Sequence, residues 1–129
     1  MNTSLTLFGR VGLSLIFIIS GWGKIAAYAG TQQYMASAGV PGSLLPLVIA
    51  LELGGGLAVL TGAFTRWIAL ALAAFSLASA ALFHAHLGDA AQAINFWKNV
   101  AMAGGFLMLA AQGAGTLSLD HLWSKRRNA

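Results

Sequence analysis

The sequence predicts an all-α membrane protein, a bundle of four transmembrane helices with a short interfacial helix between the first and second spans. Of its 129 residues, 58% are hydrophobic and 8% are charged, which is more apolar surface than a soluble domain of this size could bury. Four apolar runs are separated by polar or glycine-containing connections. The lysines and arginines stand mainly at or just inside the ends of these runs, a distribution typical of topology signals.

The predicted spans cover about residues 5–22, 44–62, 67–84 and 96–112 of one domain, residues 1–129. The first run is interrupted only by Arg10 and ends near Trp22, a residue type that often anchors a helix at the membrane interface. No cationic region precedes this run and no clear cleavage site follows it, so we expect a retained helix and not a signal peptide. Arg10 either extends to the nearer interface or pairs inside the bundle.

The connection between the first two spans contains its own helical signals. Thr31 can cap a short helix, and Gly39 stands where a left-handed residue would end it. The helix carries Tyr34 and Met35 beside glutamines, and this mixture suits the membrane interface. It could serve as a solvated connector or as a lid over something beneath it.

The second span carries one carboxylate, Glu52, near its middle. At about 1.5 Å per residue, this position is roughly 12 Å below the membrane surface. A buried acidic residue at such a depth costs roughly 2.5 to 3.5 kcal/mol on insertion, so it needs a partner or must bind a proton. The glycines that follow, residues 54–56, would allow another helix or a ligand to approach closely.

Polar residues are expected to converge above Glu52 at the outer end of the bundle. The third span ends at His84, and Lys98 and Asn99 fall in the first turn of the predicted fourth span. Lys98 could lie about one helical turn above Glu52 and form an ion pair with it, whereas Arg10 approaches from the inner side. The sequence leaves the partner open. The candidate ligand-binding residues are Glu52, Lys98, Asn99, His84, Lys24 and Arg10.

Such a set of polar groups could also do no more than fix the register of a small bundle. Two imidazoles, an amide, amines and a carboxylate at one end of the chain exceed that need, and we therefore favour a binding cavity. No metal site is expected, because His84 and His86 lack a third ligand, and cysteine is absent. No phosphate-binding loop, dinucleotide fingerprint or Ser-His-Asp arrangement occurs either.

The positive charges predict the topology. Five of them would lie on the side of the two termini and two on the other side, so the positive-inside rule places both termini in the cytoplasm. The terminal side holds Arg10, Arg66, Lys125, Arg126 and Arg127, and the other side holds Lys24 and Lys98. The same scattered distribution, with one basic cluster at the end, argues against binding to nucleic acid.

The order of several short motifs resembles the DoxX family of bacterial membrane proteins, in particular its short single-domain inner-membrane members. The resemblance extends over nearly the whole chain and depends on joint order and spacing. The motifs are Arg10, Ser20–Lys24, Gly39–Pro41, Glu52–Gly56, Gly62–Arg66, His84, Lys98–Asn99 and Gly113–Asp120.

The resemblance implies a four-helix inner-membrane protein that acts near membrane redox reactions or binds small hydrophobic ligands. The family is named after a subunit associated with a terminal quinol oxidase and with thiosulfate:quinone oxidoreductase. We therefore expect a module that binds a quinone or a similar carbonyl-bearing ligand, as an oxidoreductase subunit beside a redox partner, in the lipid bilayer. A second copy of the chain, in a homo-oligomer, is a further expected partner. The alternatives are a small-molecule or proton-coupled transporter and a structural assembly subunit, and catalysis by this chain is left open.

Overall fold

A computed structural model of the chain describes residues 2–129, and every regular element in this range is helical. The elements are α1 (Thr3–Ala26), α2 (Tyr28–Ser37), a 3-10 turn (Gly42–Leu44), α3 (Leu45–Ile49), a π-helical turn (Ala50–Gly54), α4 (Gly55–Thr61), α5 (Thr65–Phe83), α6 (Ala90–Gln112) and α7 (Leu119–Arg127). The 3-10 turn, α3, the π-helical turn and α4 follow one another without a break and form a second long helical segment, Gly42–Thr61.

Within residues 2–129, three segments are long and apolar enough to cross a membrane. They are α1, the segment Gly42–Thr61 and α5. The helix α6 has 23 residues, but Asn95, Lys98 and Asn99 in its first half lower its apolar character. The all-helical architecture is therefore confirmed, with three candidate membrane spans, whereas the fourth span stays a prediction.

The bundle is built from two helical pairs. The helix α1 packs along the segment Gly42–Thr61, and α5 packs along α6. Glycine allows the first pair to approach closely, because a Cβ at Gly21 would lie 2.9 Å from Leu53 N and one at Gly56 would lie 2.8 Å from Ile18 Cγ1. Small residues at helix contacts are typical of membrane bundles.

An apolar core joins the two pairs. Phe17 of α1 packs edge-on against Phe106 of α6, with ring centroids 5.4 Å apart. Val59 of α4 and Leu72 of α5 complete the centre of the core and are fully buried. The core thus includes a residue from each of the four long segments, which fixes their arrangement around one axis.

The connections gather at two ends of the bundle, which we name the α2 end and the α7 end. At the α2 end, the Tyr34 ring stacks on the Phe83 ring next to the loop 84–89. At the α7 end, Asp120 N donates to Gly62 O over 2.9 Å, and the hydroxyls of Thr3 and Thr116 are 3.1 Å apart. The beginning and the end of the described chain therefore lie at the same end of the bundle.

Two predicted helix boundaries are wrong. The helix α6 begins at Ala90, because the Asp89 carboxylate accepts a hydrogen bond from Ala91 N over 2.9 Å and caps it. Lys98 and Asn99 consequently lie in the third turn of α6 and not in its first. The helix α2 begins before Thr31, whose hydroxyl donates to Ala27 O within the helix. Gly39 has the predicted left-handed conformation, with φ of 81°.

Candidate functional site

An ion pair between Lys24 and Glu52 connects α1 to the second long segment. Lys24 Nζ lies 3.0 Å from Glu52 Oε1 and 3.0 Å from Glu52 Oε2. Glu52 is only 3% exposed and stands in the middle of the π-helical turn. Such turns inside α-helices occur frequently at functional sites, because the local change of helical pitch redirects the side chains. A charged pair thus occupies an irregular, buried part of a predicted membrane span.

The close contact at Gly21 positions the two charged residues. Gly21 lies one turn before Lys24 on α1 and touches the backbone of Leu53, the neighbour of Glu52. A larger residue at Gly21 would push the two helices apart at this level. The ion pair therefore depends on Gly21, because the absence of a side chain there allows the two helices to approach closely.

Neither Lys98 nor Arg10, the two cations considered as partners of Glu52, pairs with it. Lys98 is exposed on α6 and forms no ion pair within residues 2–129. Arg10 precedes Lys24 by roughly four turns of α1, which is about 21 Å along the helix axis. Arg10 is 1% exposed and donates from Nη2 to the Leu117 carbonyl at the α7 end. The proposed pairing with Lys98 or Arg10 is wrong, and Lys24 is the partner.

A cavity of about 270 Å³ lies beside the ion pair at the α2 end. Its walls come from α1, α2, the second long segment and α5. They consist of Lys24, Thr31, Tyr34, Met35, Val40, Val48, Glu52, Phe75, Ala78, Ser79, Leu82 and Phe83. An apolar pocket with a few polar groups is typical of small-molecule sites, and this volume is close to the lower limit of their usual range of roughly 300 to 1,000 Å³.

The helix α2 forms one wall of this cavity. Met35 is 4% exposed and points inward, and the Tyr34 ring stacks on Phe83 with centroids 5.3 Å apart and planes at 21°. Of the two roles considered for this helix, a position over a cavity agrees with the structure. The connection between the first two spans is thus part of the candidate site.

Three of the predicted site residues lie outside the cavity, and two of them have other partners. Asn99 Nδ2 donates to Asn95 O within α6 over 2.8 Å. His84 Nδ1 lies 2.7 Å from Gln92 Oε1, which connects the two sides of the loop 84–89. Lys98 is exposed to the surroundings of the bundle. Together with Arg10, these residues do not line the cavity beside Glu52, so the structure brings together only Glu52 and Lys24 of the six candidates.

The sequence analysis missed the contribution of α5 to the site. Phe75, Ser79 and Phe83 all line the cavity and are spaced by four residues, which places them on one face of the helix. This spacing was a usable signal. The sequence analysis did not detect this spacing because α5 is apolar on nearly all sides. A row of residues that contains one serine is then hard to distinguish from the rest of the helix.

Comparison with known proteins gives a consistent assignment. The family model DoxX matches residues 5–85. The chain is 51% identical to Inner membrane protein YqjF of Escherichia coli (strain K12), over 93% of this chain and 92% of that protein. It is 42% identical to Inner membrane protein YphA of the same organism, over 90% of this chain and 88% of that protein.

A more limited similarity extends to a protein of Bacillus subtilis (strain 168) named "Putative oxidoreductase CatD". It is 35% identical over 53% of this chain and 51% of that protein. No solved structure is significantly similar to the chain. The family match over most of the predicted spans, together with two relatives that are similar along nearly their whole length, shows that the chain belongs to the DoxX family.

Proposed function

We propose that this protein is an integral inner-membrane protein whose cavity at the α2 end binds a small apolar, carbonyl-bearing ligand of the quinone class. The observation that carries the proposal is the Lys24–Glu52 ion pair in the wall of a mostly apolar cavity. Ionisable residues inside membrane spans usually mark a ligand, ion or proton pathway. Two relatives that are named as inner membrane proteins support the inner-membrane location.

The ion pair offers complementary groups to both redox forms of such a ligand. Lys24 carries three N–H donors, and its contacts with the two oxygens of Glu52 leave a donor for a ligand carbonyl. Glu52 is an acceptor and can take a hydrogen bond from a ligand hydroxyl. A quinone presents carbonyl oxygens and the corresponding quinol presents hydroxyls. Lys24 therefore suits the oxidised form and Glu52 the reduced form. Glu52 could accept one of the two protons that a quinol releases when a redox partner takes its two electrons.

The remaining walls suit a flat ring. Phe75, Phe83 and Tyr34 are aromatic, and Met35 supplies a flexible, polarizable side chain that adapts to irregular shapes. The volume of about 270 Å³ accommodates a ring system but not a long isoprenoid tail. A tailed quinone would extend out of the cavity between helices into the surrounding lipid.

We assign binding and positioning of the ligand to this chain and electron exchange to a redox partner. The similarity to a Bacillus subtilis protein with an oxidoreductase name supports a redox setting, although that match covers about half of each chain. Lys24 and Glu52 supply hydrogen bonds and a proton acceptor at the site. In this proposal α6 is the fourth span, and both termini lie in the cytoplasm.

A thermal-shift experiment with menadione, a quinone without a long tail, tests the binding site. At about 100 times its dissociation constant, a ligand stabilises the folded state by roughly 2.7 kcal/mol, which should raise the unfolding temperature measurably in detergent. Both Ala78 and Ala81 are exposed on α5, but only Ala78 lines the cavity, so Ala78→Phe places a ring at the cavity wall and Ala81→Phe does not. We expect the wild type and Ala81→Phe to be stabilised and Ala78→Phe to lose the effect.

Two results would contradict this proposal. One is the absence of a shift in the wild type with menadione and with tailed benzoquinones. The other is an undiminished shift in Ala78→Phe, which would place the quinone elsewhere. Quinone-independent uptake of a solute by proteoliposomes would instead favour a transporter.

A further inference from the structure

A second site is present at the α7 end, far from the cavity beside Glu52. A groove of about 930 Å³ lies between the start of α5 and the helix α7. Phe64, Arg66 and Trp67 line one side of it, and Trp123 and Arg127 line the other. The groove combines cationic and aromatic side chains, and none of these residues lines the cavity beside Glu52.

Neither arginine of this groove forms an ion pair within residues 2–129. Within residues 2–129, the ion pair of the chain is Lys24–Glu52, so Arg66 and Arg127 have no carboxylate partner in this range. Asp120 also borders the groove, but its two oxygens accept hydrogen bonds from Phe64 N over 2.8 Å and Thr65 N over 2.9 Å. The one acidic side chain that lines the groove therefore accepts from the backbone and not from either arginine, so it does not use the donors of Arg66 and Arg127.

The aromatic residues of the groove are placed as at a membrane interface. Trp67 is 75% exposed at the beginning of a predicted span, and the Phe64 ring lies 5.1 Å from the Trp123 ring. Tryptophan is enriched where hydrocarbon meets headgroups. The helix α7 presents Leu122 and Trp123 together with a basic last turn, the composition of a helix that lies along a membrane surface.

We propose that this groove binds the headgroup of an anionic phospholipid from the surrounding bilayer. The phosphate would accept hydrogen bonds from the guanidinium groups of Arg66 and Arg127, which are suited to bidentate contacts with phosphate oxygens. The glycerol and upper acyl region would lie against Trp67 and Phe64. A zwitterionic lipid carries a cation beside its phosphate, so its headgroup gains less from the two arginines than the headgroup of an anionic lipid does. The site therefore selects anionic headgroups.

Native mass spectrometry of the full-length protein tests the selection. The protein is released from nanodiscs that contain equal amounts of phosphatidylglycerol and phosphatidylcholine, and the lipids that remain bound are counted. We expect the wild type to retain phosphatidylglycerol preferentially. Each change Arg66→Gln or Arg127→Gln should weaken this retention about fivefold, because one cation near an anionic membrane surface contributes about 1 kcal/mol. Lys98→Gln is the matched control, since it removes an exposed cation from α6 outside this groove.

Tryptophan fluorescence locates the bound lipid. The sequence has four tryptophans, and Trp67 and Trp123 line the groove, whereas Trp22 and Trp97 do not. One variant, Trp22→Phe with Trp97→Phe, keeps only Trp67 and Trp123. The other, Trp67→Phe with Trp123→Phe, keeps only Trp22 and Trp97. Phosphatidylglycerol with brominated acyl chains should quench the first variant more strongly than brominated phosphatidylcholine does. The second variant should not distinguish the two lipids.

Several outcomes would overturn the proposal. Equal retention of both lipids by the wild type would do so, as would a loss in Lys98→Gln equal to that in the arginine variants. Displacement of the lipid by millimolar inorganic phosphate would indicate a site for a free anion. Preferential quenching of Trp22 and Trp97 would place the anionic lipid elsewhere. Helicity and unfolding temperature of each variant are measured first, so that a loss of lipid is compared only among folded proteins.

Discussion

Lys24 Nζ lies 3.0 Å from each carboxylate oxygen of Glu52, and this contact joins α1 to the irregular turn in the second long segment. The arrangement compensates the charge of a carboxylate that is nearly inaccessible, while the lysine side chain stays 29% exposed. The two partners are therefore not equivalent. Glu52 depends on Lys24 for its neutralisation, whereas Lys24 can turn toward water or headgroups if the carboxylate is removed.

This asymmetry leads to the first prediction. Lys24→Met leaves the Glu52 charge buried without a partner, which should lower the free energy of unfolding by roughly 3 to 5 kcal/mol. Glu52→Gln should cost less, because Lys24 can reach a wetter environment. The double variant should be more stable than Lys24→Met alone. Unfolding in a mixed detergent, followed by circular dichroism, measures all three.

Lys98→Met is the control for this double-mutant cycle. Lys98 is exposed on α6 and has no carboxylate partner among the described residues, so its removal should change stability by less than about 0.5 kcal/mol. If Lys24→Met and Glu52→Gln are simply additive, the contact does not contribute as an ion pair.

The second prediction concerns the glycines that bring α1 and the second segment together. An alanine at Gly21 or Gly56 would place a Cβ 2.9 Å from Leu53 N or 2.8 Å from Ile18 Cγ1, respectively. Each change should destabilise the protein by about 1–3 kcal/mol through overpacking. Gly54→Ala is the matched control, because nothing lies within 4 Å of its new Cβ. That change should be neutral or stabilising by up to about 1 kcal/mol, since alanine favours helix. Equal effects at Gly54 and Gly56 would argue against the packing.

Much of this architecture follows from the sequence, and the parts that do not have physical causes. The apolar runs set the positions of the long segments, and the conformation of Gly39 follows from its place after a short helix. The fourth span is predicted to begin at about residue 96, six residues after the start of α6, because Gln92 and Asn95 interrupt the apolar residues of the first two turns. Such a segment forms helix through the Asp89 cap and its packing on α5, which hydrophobic runs do not reveal.

The candidate site could be predicted only in part, again because contacts between helices are not visible in the sequence. Glu52 was identified because a carboxylate in an apolar run is costly, and Lys24 was among its named neighbours. The pairing itself depends on the rotation of two helices about their axes, which is set by contacts such as Gly21 with Leu53. A sequence without coordinates gives the order and length of helices but not these rotations, so Lys98 and Arg10 seemed equally suitable.

The third prediction concerns Asp120, which holds the turn before α5. Its carboxylate accepts from Phe64 N and Thr65 N, and Phe64 has a left-handed backbone with φ of 51°, which is uncommon for a residue other than glycine. Asp120→Ala should destabilise the protein by about 1–3 kcal/mol, because it leaves these donors unpaired. It should also increase hydrogen exchange at Phe64 and Thr65.

Two comparisons separate this role from general helix capping. Asp120→Asn keeps one acceptor oxygen and should be intermediate in stability. Asp89→Ala removes the cap of α6 on an exposed loop and should cost less than Asp120→Ala, about 0.5–1 kcal/mol. If Asp89→Ala is the more damaging change, the contact between α7 and the turn is not important for stability.

The last prediction concerns the number of spans and the side on which the chain ends. The protein lacks cysteine, so single cysteines report accessibility without a background. Gly88 lies in the exposed loop before α6 with no atom within 4 Å of a new Cβ, and Ala129 is exposed after α7. If α6 crosses the membrane and the positive-inside rule applies, a membrane-impermeant maleimide added to spheroplasts should label Gly88→Cys but not Ala129→Cys. After permeabilisation, both should react. Labelling of both cysteines in intact spheroplasts would mean that α6 lies outside the bilayer and that the chain has three spans. Labelling of Ala129→Cys alone would reverse the topology and place the cavity beside Glu52 on the cytoplasmic side.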